Sequence, residues 1–380
     1  LIVIPSFYPA VKYGGPIFSS LNTCLELNEF KDIELSVSTS NANYNSKLDV
    51  EPNKWIKTKG LRVKYYDETI TGIFSLAMIV GLWDDIEKAD VIHIQGVFNL
   101  SSVVSLFFSY IKGKKIVFSP RGALGDWCLE ERKYIKRIWL LFFLKPFKNR
   151  IVWHATSYQE ELEIKKVLKA KNIKVIPNGI NLNEYAKSPT KDKEFYQKYI
   201  GSLSSKQVFI SMGRLHKKKG FDILIKAFEI LSTSYPESCL LIAGEDDGDL
   251  KNLELLTKSL NLEKRVKFIG QIDGSDKLNF LANADIFMLA SHNENFGNVY
   301  LESLASGTPI IATKNTPWED VAKFNCGYHV NNNPQDIADA AIKLLKEDET
   351  TISKNSRIFS ENFTWKKVAQ NFYKVFYGLK

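Results

Sequence analysis

Short apolar runs alternate along the chain with segments of helical spacing. Residues 1–5 and 33–38 read as buried strands around a helix over 17–28, where Leu21 and Leu25 keep helical spacing. Further apolar runs at 90–96, 115–119 and 151–155 each end in polar or turn residues. A second series follows at 207–212, 239–243, 266–269, 286–289 and 309–312, again with helical segments between. Strands alternating with helices predict parallel sheets of Rossmann type, an α/β architecture. At 380 residues the chain exceeds the roughly 250–300 at which single cores stop growing, so two domains are expected. The pattern places an N-terminal domain at 1–172 and a C-terminal domain at 173–363. Apolar spacing in 364–380 predicts a last helix that packs back on the first domain.

Composition adds little to that picture, and charge adds more. The hydrophobic share of 44% and charged share of 25% are ordinary for a globular protein. Of 51 basic and 43 acidic residues, residues 1–174 hold 25 and 18, leaving 26 and 25 for the rest. A basic first half beside a near-neutral second half suggests that the first half meets something anionic. Cys24, Cys128, Cys239 and Cys326 are scattered without metal-ligand spacing, which fits reduced thiols and a cytoplasmic setting. No basic region or long apolar stretch precedes the first strand, so no signal peptide is read.

The chemistry centres on Glu294-Asn295-Phe296-Gly297-Asn298, followed by Glu302. Glu294 falls in the loop after the strand ending near Leu289, at the sheet end where open α/β folds bind ligands. Glu302 lies about one turn into the next helix, where it can point back along the same cleft. Free amides near Phe296, Gly297 and Asn298 form a helix start suited to phosphate. Two carboxylates for hydroxyls and a helix end for a diphosphate describe a nucleotide-sugar site. A lone E-x7-E is more often two solvated carboxylates, so the rest of the chain has to carry the weight. Gly213-Arg214-Leu215-His216-Lys217-Lys218-Lys219-Gly220 joins the first strand of the second half to a helix. Arg214 offers a bidentate fork for phosphate oxygens and Lys219 a compact charge. Gly14-Gly15, between a first strand and a first helix, allows backbone amides to approach a phosphate, though such a pair is often only a turn.

In this order and spacing, G-R-x4-K-G, E-N-F-G-x4-E, the upstream I-P-N-G-I and the early G-G resemble the retaining glycosyltransferases of family 4 over essentially the whole chain. The resemblance implies the GT-B fold, two Rossmann-like domains facing each other across a cleft. It implies that Arg214 and Lys219 hold the donor diphosphate. Glu294 would accept bonds from donor-sugar hydroxyls beside the Phe296-Gly297-Asn298 backbone, and Glu302 would bind the ribose. Gly14 and Gly15 would let the first domain approach the phosphates. Family relatives need no metal, so none is expected, and Asp247-Gly248-Asp249 reads as an acidic loop rather than a metal site. No cofactor is expected beyond the nucleotide-sugar itself, with a UDP-sugar preferred on family frequency. One position departs from the pattern. Where many members have a cleft histidine, this chain has Arg121, which stays protonated and cannot act as a base. Arg121 is left with a role in binding sugar or an acceptor phosphate.

The expected activity is therefore retaining transfer of a hexose-type sugar to a hydroxyl of a glycan acceptor, polyprenyl-linked or otherwise lipid-linked, in surface glycan synthesis. A nucleotide-sugar epimerase of the same fold is the alternative. A glycosidase using Glu294 and Glu302 would leave the Arg214–Lys219 loop unexplained. No recognition motif supports a nucleic-acid partner. The segment 130–150 sets Arg132, Lys133, Lys136, Arg137, Lys145, Lys148 and Arg150 around the apolar run 138–144. It is too short to span a bilayer, which takes about 20 residues. It reads either as a core helix with solvated basic flanks or as a peripheral contact with an anionic membrane surface.

Overall fold

The computed structural model describes residues 1–70, 74–185, 192–201 and 206–378. Parts of the charged stretch 186–205, expected to be irregular, therefore lie outside the described residues, as do 379–380 at the end of the expected last helix. The chain divides into two compact units, residues 1–179 with 365–380, and residues 180–364.

The first unit is built on an eight-stranded sheet. In chain order its strands are β1 (Ile2–Val3), β2 (Ser36–Ser40), β5 (Trp55–Thr58), β6 (Leu61–Tyr66), β7 (Val91–Gln95), β8 (Lys115–Ser119), β9 (Ile151–Ala155) and β10 (Ile173–Val175). The labels β3 (Ala42–Asn43) and β4 (Ser46–Lys47) belong to a separate two-stranded ribbon. The spatial order is β10-β9-β8-β7-β1-β2-β6-β5. Pairing is parallel except at β5, which joins β6 as an antiparallel hairpin on the sheet edge. One face is covered by α1 (Gly15–Asn28) and the C-terminal helix Trp365–Tyr377, which share a core with Val37, Val63 and Val117. The other face packs against α2 (Leu76–Glu87), α3 (Leu100–Ile111) and the segment holding α4 (Asp126–Glu130) and α5 (Lys133–Trp139). Helix α6 (Tyr158–Leu168) completes that side through Ile164 and Leu168.

The boundary differs from the sequence expectation. Residues 173–179 belong to the first unit, because β10 pairs in parallel with β9 through Ile173, Lys174 and Val175. Val175 is exposed and Ile173 only half-buried, so the local pattern carries little sign of which sheet the strand joins.

The second unit holds β11 (Gln207–Met212), β12 (Ser238–Ala243), β13 (Val266–Phe268), β14 (Ile286–Leu289), β15 (Ile310–Thr313) and β16 (Gly327–Val330). All pair in parallel, in the order β13-β12-β11-β14-β15-β16. Strands β12, β14 and β15 are buried along their whole length, which is why they read as continuous apolar runs. Each unit is thus doubly wound, with the strand order of its parallel core reversing between β1 and β7 in the first and between β11 and β14 in the second. Ligands bind at such reversals because the loops leaving the two strands diverge and open a crevice at the strands' carboxyl ends.

Candidate functional site

In the second unit, the loops that leave β11 and β14 lie at the reversal point. The first is 213–220, which enters the helix Phe221–Ser234; the second is 290–297, which enters the helix Asn298–Ala305. Two contacts lock them together. The His292 backbone N–H donates to the Lys218 carbonyl at 2.9 Å. Gly220 sits at φ 63°, so close to the end of β14 that an added Cβ would meet the Ala290 carbonyl oxygen at 2.1 Å. The turn before it is braced by His216, whose Nδ1 accepts the Lys218 N–H at 3.0 Å.

This docking brings Lys219 Nζ to Glu294 Oε1 at 2.5 Å, and Ser291 Oγ donates to the same oxygen at 2.8 Å. The two side chains are mostly shielded, at 21% and 11% exposure. Burial pushes the Glu294 carboxyl up, but Lys219 and Ser291 pull it down further, so its pKa ends below the ordinary value. A pair held ionised in a half-dry site is a binding element that can exchange partners, the ammonium for phosphate oxygens and the carboxylate for hydroxyls.

The helix Asn298–Ala305 begins beside Glu294. Its N-cap is Gly297 at φ 78°, and no side chain caps it. The helix dipole favours an anion at such a start. Phe296 is a core side chain, its ring tilted against that of Trp318 at 5.2 Å between centroids, while its carbonyl accepts from Trp318 Nε1 at 2.7 Å. Glu302, one turn on, pairs with Lys277 at 2.8 Å, and both are partly shielded. Lys277 belongs to the helix Gly274–Ala282, and no sequence signal linked it to Glu302.

Arg214 does not join the Lys219–Glu294 pair. Its guanidinium is 72% exposed and bonded to Asp247 at 2.7 Å, in the loop after β12. The neighbouring Asp246 spends Oδ1 on the N–H groups of Gly248, Asp249 and Leu250. The acidic loop thus organises its own backbone and anchors Arg214.

The remaining sequence candidates lie in the first unit. Gly14 (φ 75°) is the N-cap of α1 and Gly15 its first residue, again without a side-chain cap. Arg121 follows β8 and itself has φ 57°. Its Nε and Nη2 donate to Gln95 Oε1 at 3.1 and 2.9 Å, and Nη1 to Asn178 Oδ1 at 3.2 Å. Ser20 Oγ also donates to Gln95 Oε1 at 2.9 Å. Asn178 is the middle residue of Pro177-Asn178-Gly179, so that motif supplies a side chain to hold Arg121. The loop around Arg121 is pinned by buried Glu160, which accepts the N–H of Gly122 at 2.7 Å and of Thr156 at 2.6 Å. Burial raises the Glu160 carboxyl, opposed by those bonds and by Arg121.

Behind Arg121 runs a buried chain. His93 Nε2 meets Ser119 Oγ at 2.7 Å, Ser119 Oγ meets His154 Nδ1 at 2.6 Å, and His154 Nε2 meets the Ile176 carbonyl at 2.8 Å. A carbonyl can only accept, so His154 carries its proton on Nε2 and accepts from Ser119, which in turn accepts from His93 Nε2–H. Burial, with Arg121 nearby, lowers His154 to about 3 and His93 well below its ordinary value. Both are neutral scaffolding, capped by Phe372 of the C-terminal helix at 5.1 and 4.7 Å.

The segment 130–150 serves two environments at once. Leu140 and Leu144 enter the core, and Trp139 Nε1 donates to the Val97 carbonyl at 3.1 Å. Tyr134, Ile135, Ile138, Leu141, Phe142 and Phe143 are exposed. Lys136 is engaged internally, bonding the Cys128 carbonyl at 2.6 Å, whereas Arg132, Arg137, Lys145 and Arg150 are exposed. No helix among the described residues is long and apolar enough to cross a membrane.

Residues 192–362 match the family described as glycosyl transferases group 1. The mannosylfructose-phosphate synthase of Agrobacterium fabrum is 31% identical over 217 residues, 53% of this chain and 47% of that protein. The chain thus spans about half the length of this and several other curated relatives that it matches. A GDP-mannose-dependent monoacylated alpha-(1-6)-phosphatidylinositol monomannoside mannosyltransferase of Corynebacterium glutamicum is 24% identical, covering 82% of this chain and 79% of that one. Among solved structures, Anabaena Alr3699/HepE in complex with UDP superposes with a TM-score of 0.76 at 18% identity, over 100% of this chain and 99% of that one. Likeness at that identity speaks to fold, and the fold class of the chain is GT-B, with two Rossmann-like units.

Proposed function

We propose that the chain is a retaining, metal-independent glycosyltransferase of family 4. It moves a hexose-type sugar from a nucleotide-sugar, a UDP-sugar by preference, to a hydroxyl of a lipid-linked glycan acceptor. The observation that carries this reading is the Lys219–Glu294 pair at the strand-order reversal, beside the uncapped helix start at Gly297. Lys219 and the helix amides would take the diphosphate, whose charge grows as the sugar departs, so fixed positive groups there lower the barrier. Glu294, released from Lys219, would accept hydroxyls of the sugar, and Glu302 those of the ribose. Arg214, tethered to Asp247 at the rim, would close on the outer phosphate oxygens. With no protein nucleophile assigned, the acceptor hydroxyl attacks from the face the phosphate leaves and gives its proton to that phosphate. A solved neighbour named for its UDP complex supports the choice of base, and a relative named as a phosphatidylinositol mannoside mannosyltransferase supports a glycolipid acceptor.

Peripheral binding to an anionic membrane belongs to the same proposal. It is supported by the exposed apolar face at Ile135, Ile138, Leu141 and Phe142 with its basic flank.

Calorimetric titration of UDP, GDP, ADP and their sugar conjugates tests the donor site, with Lys219→Ala and Glu302→Ala beside the parent. The expected result is tight binding of one nucleotide, weakened in both variants. No binding by any nucleotide would remove the reading. A product with inverted anomeric configuration would remove the mechanism, and an altered sugar formed from donor alone would indicate an epimerase.

A further inference from the structure

In the second unit, Lys219 and Glu294 each lie along the backbone at a glycine. Lys219 Cε is 3.4 Å from where a Cβ on Gly213 would sit, and Glu294 Cγ is 3.6 Å from the equivalent point on Gly297. Glu294 is thereby held beside the start of the helix Asn298–Ala305, which no side chain caps. Its carboxylate is the anion that this helix start already has for a neighbour.

The two donors on Glu294 Oε1 differ in how freely they can move. Ser291, whose Oγ donates at 2.8 Å, is fully buried, and its carbonyl accepts from Thr313 Oγ1 of β15 at 2.9 Å. Its hydroxyl is therefore fixed to the sheet. The Lys219 ammonium, at 2.5 Å, ends a flexible four-carbon stem and can turn to another acceptor.

A diphosphate draws that ammonium away from the carboxylate. A ligand that ends at the diphosphate gives Glu294 nothing in exchange. The carboxylate is left at 11% exposure with the Ser291 hydroxyl still donating, and a second anion is brought to the same helix start. Removing one partner of a shielded pair is costly because the remaining charge does not regain its water. A sugar beyond the diphosphate changes the balance, since its hydroxyls donate to the carboxylate as the ammonium leaves. The Lys277–Glu302 pair does not separate the two cases, because both ligands carry a ribose.

We propose that the Lys219–Glu294 pair makes this site select an intact nucleotide-sugar over the nucleoside diphosphate left after transfer, because the sugar compensates the carboxylate that the diphosphate strips of its ammonium. The inference rests on the donor-site reading above and adds a consequence for turnover: re-formation of the pair favours release of the spent nucleotide. Ser291 is a positioning residue in this exchange, holding Oε1 in place whichever partner Lys219 takes.

The test is calorimetric titration of UDP against UDP-glucose, and of GDP against GDP-mannose, into the parent, Glu294→Gln, Ser291→Ala and Glu302→Gln, with thermal melting to show each folded. In the parent, the sugar conjugate of the base that binds should be about tenfold tighter than the bare diphosphate. Glu294→Gln has no carboxylate to strand. It should bind the bare diphosphate about tenfold more tightly than the parent does, and the sugar conjugate more weakly. Ser291→Ala should act in the opposite sense on the bare diphosphate, weakening it more than the conjugate, because its hydroxyl matters most once Lys219 has turned away. Glu302→Gln should weaken both ligands by the same factor. A Glu294→Gln variant that binds the bare diphosphate no more tightly than the parent overturns the inference. If that variant does not fold, equal losses for both ligands in Ser291→Ala overturn it instead. Absence of binding by all of these ligands to the parent sinks the donor reading and this inference with it, whereas binding without the changed preference sinks this inference alone.

Discussion

Removing the ammonium from Lys219 isolates what the paired loops contribute. Lys219→Met keeps the length of the stem, which lies 3.4 Å from where a Cβ on Gly213 would sit, and deletes the charge. Glu294 then keeps the Ser291 hydroxyl as a donor but loses its ammonium partner, in a site where it is 11% exposed. Breaking a fully buried pair costs about 3–5 kcal/mol, and the residual exposure and the Ser291 bond bring the figure here to about 2–3 kcal/mol at neutral pH. The pH dependence sharpens the test. In the parent, the Glu294 pKa lies below its ordinary 4.5, so its stabilisation is complete above 4.5 and is lost as pH falls through the lower folded value. Without Lys219 burial dominates and the folded pKa rises above 4.5, so acidification relieves the variant. The stability gap between parent and Lys219→Met should therefore be widest near pH 7 and narrow towards pH 4. Urea unfolding across that range, with Glu294→Gln and the double variant, measures it. The double variant should recover at least about 2 kcal/mol relative to additivity. An additive cycle, or a gap that does not change with pH, would refute the account of Glu294 as a carboxylate held ionised by Lys219.

Three further outcomes are expected. Because His154 is lowered from 6.5 to about 3, the unfolded chain binds the extra proton between those values and stability falls on acidification. At pH 5 this costs about 2 kcal/mol from that residue alone, visible as a lower urea midpoint that His154→Gln makes less pH-dependent. Gly220→Ala combines a left-handed φ with a 2.1 Å clash on Ala290, so a loss above about 2 kcal/mol and weakened nucleotide binding are expected in thermal melts and titration. Replacing exposed Arg132, Arg137, Lys145 and Arg150 by Gln should weaken binding to phosphatidylserine vesicles by roughly a thousandfold at low salt, at about 1 kcal/mol per charge, with little difference at 0.5 M salt by the same screening.

Much of the architecture is legible in the chain because parallel strands buried on both faces have to be apolar throughout. Residues 115–119, 151–155, 207–212 and 286–289 coincide with β8, β9, β11 and β14 for that reason. β10 escapes the rule, since it lies on the sheet edge with one half-buried and two exposed positions, and its sheet is settled by pairing with β9.

The site divides in the same way. Residue types and chain positions single out Glu294, Lys219, Glu302 and the helix start at Gly297 as candidates, because carboxylates, an ammonium and helix-start amides are the groups that suit hydroxyls and phosphates, and these sit where strands end. Which of them touch is a matter of strand order. Lys219 meets Glu294 across 75 residues because β11 and β14 are neighbours, while Arg214 is drawn to Asp247 after β12 on the other side. The partners Lys277, Gln95 and Asn178 carry no local signal, since an ion pair or a hydrogen bond between distant segments constrains geometry and leaves ordinary residues in the sequence. The same holds for 130–150: composition shows that it is basic and apolar, and only packing decides that Leu140 and Leu144 face the core while Ile138, Leu141 and Phe142 face outward.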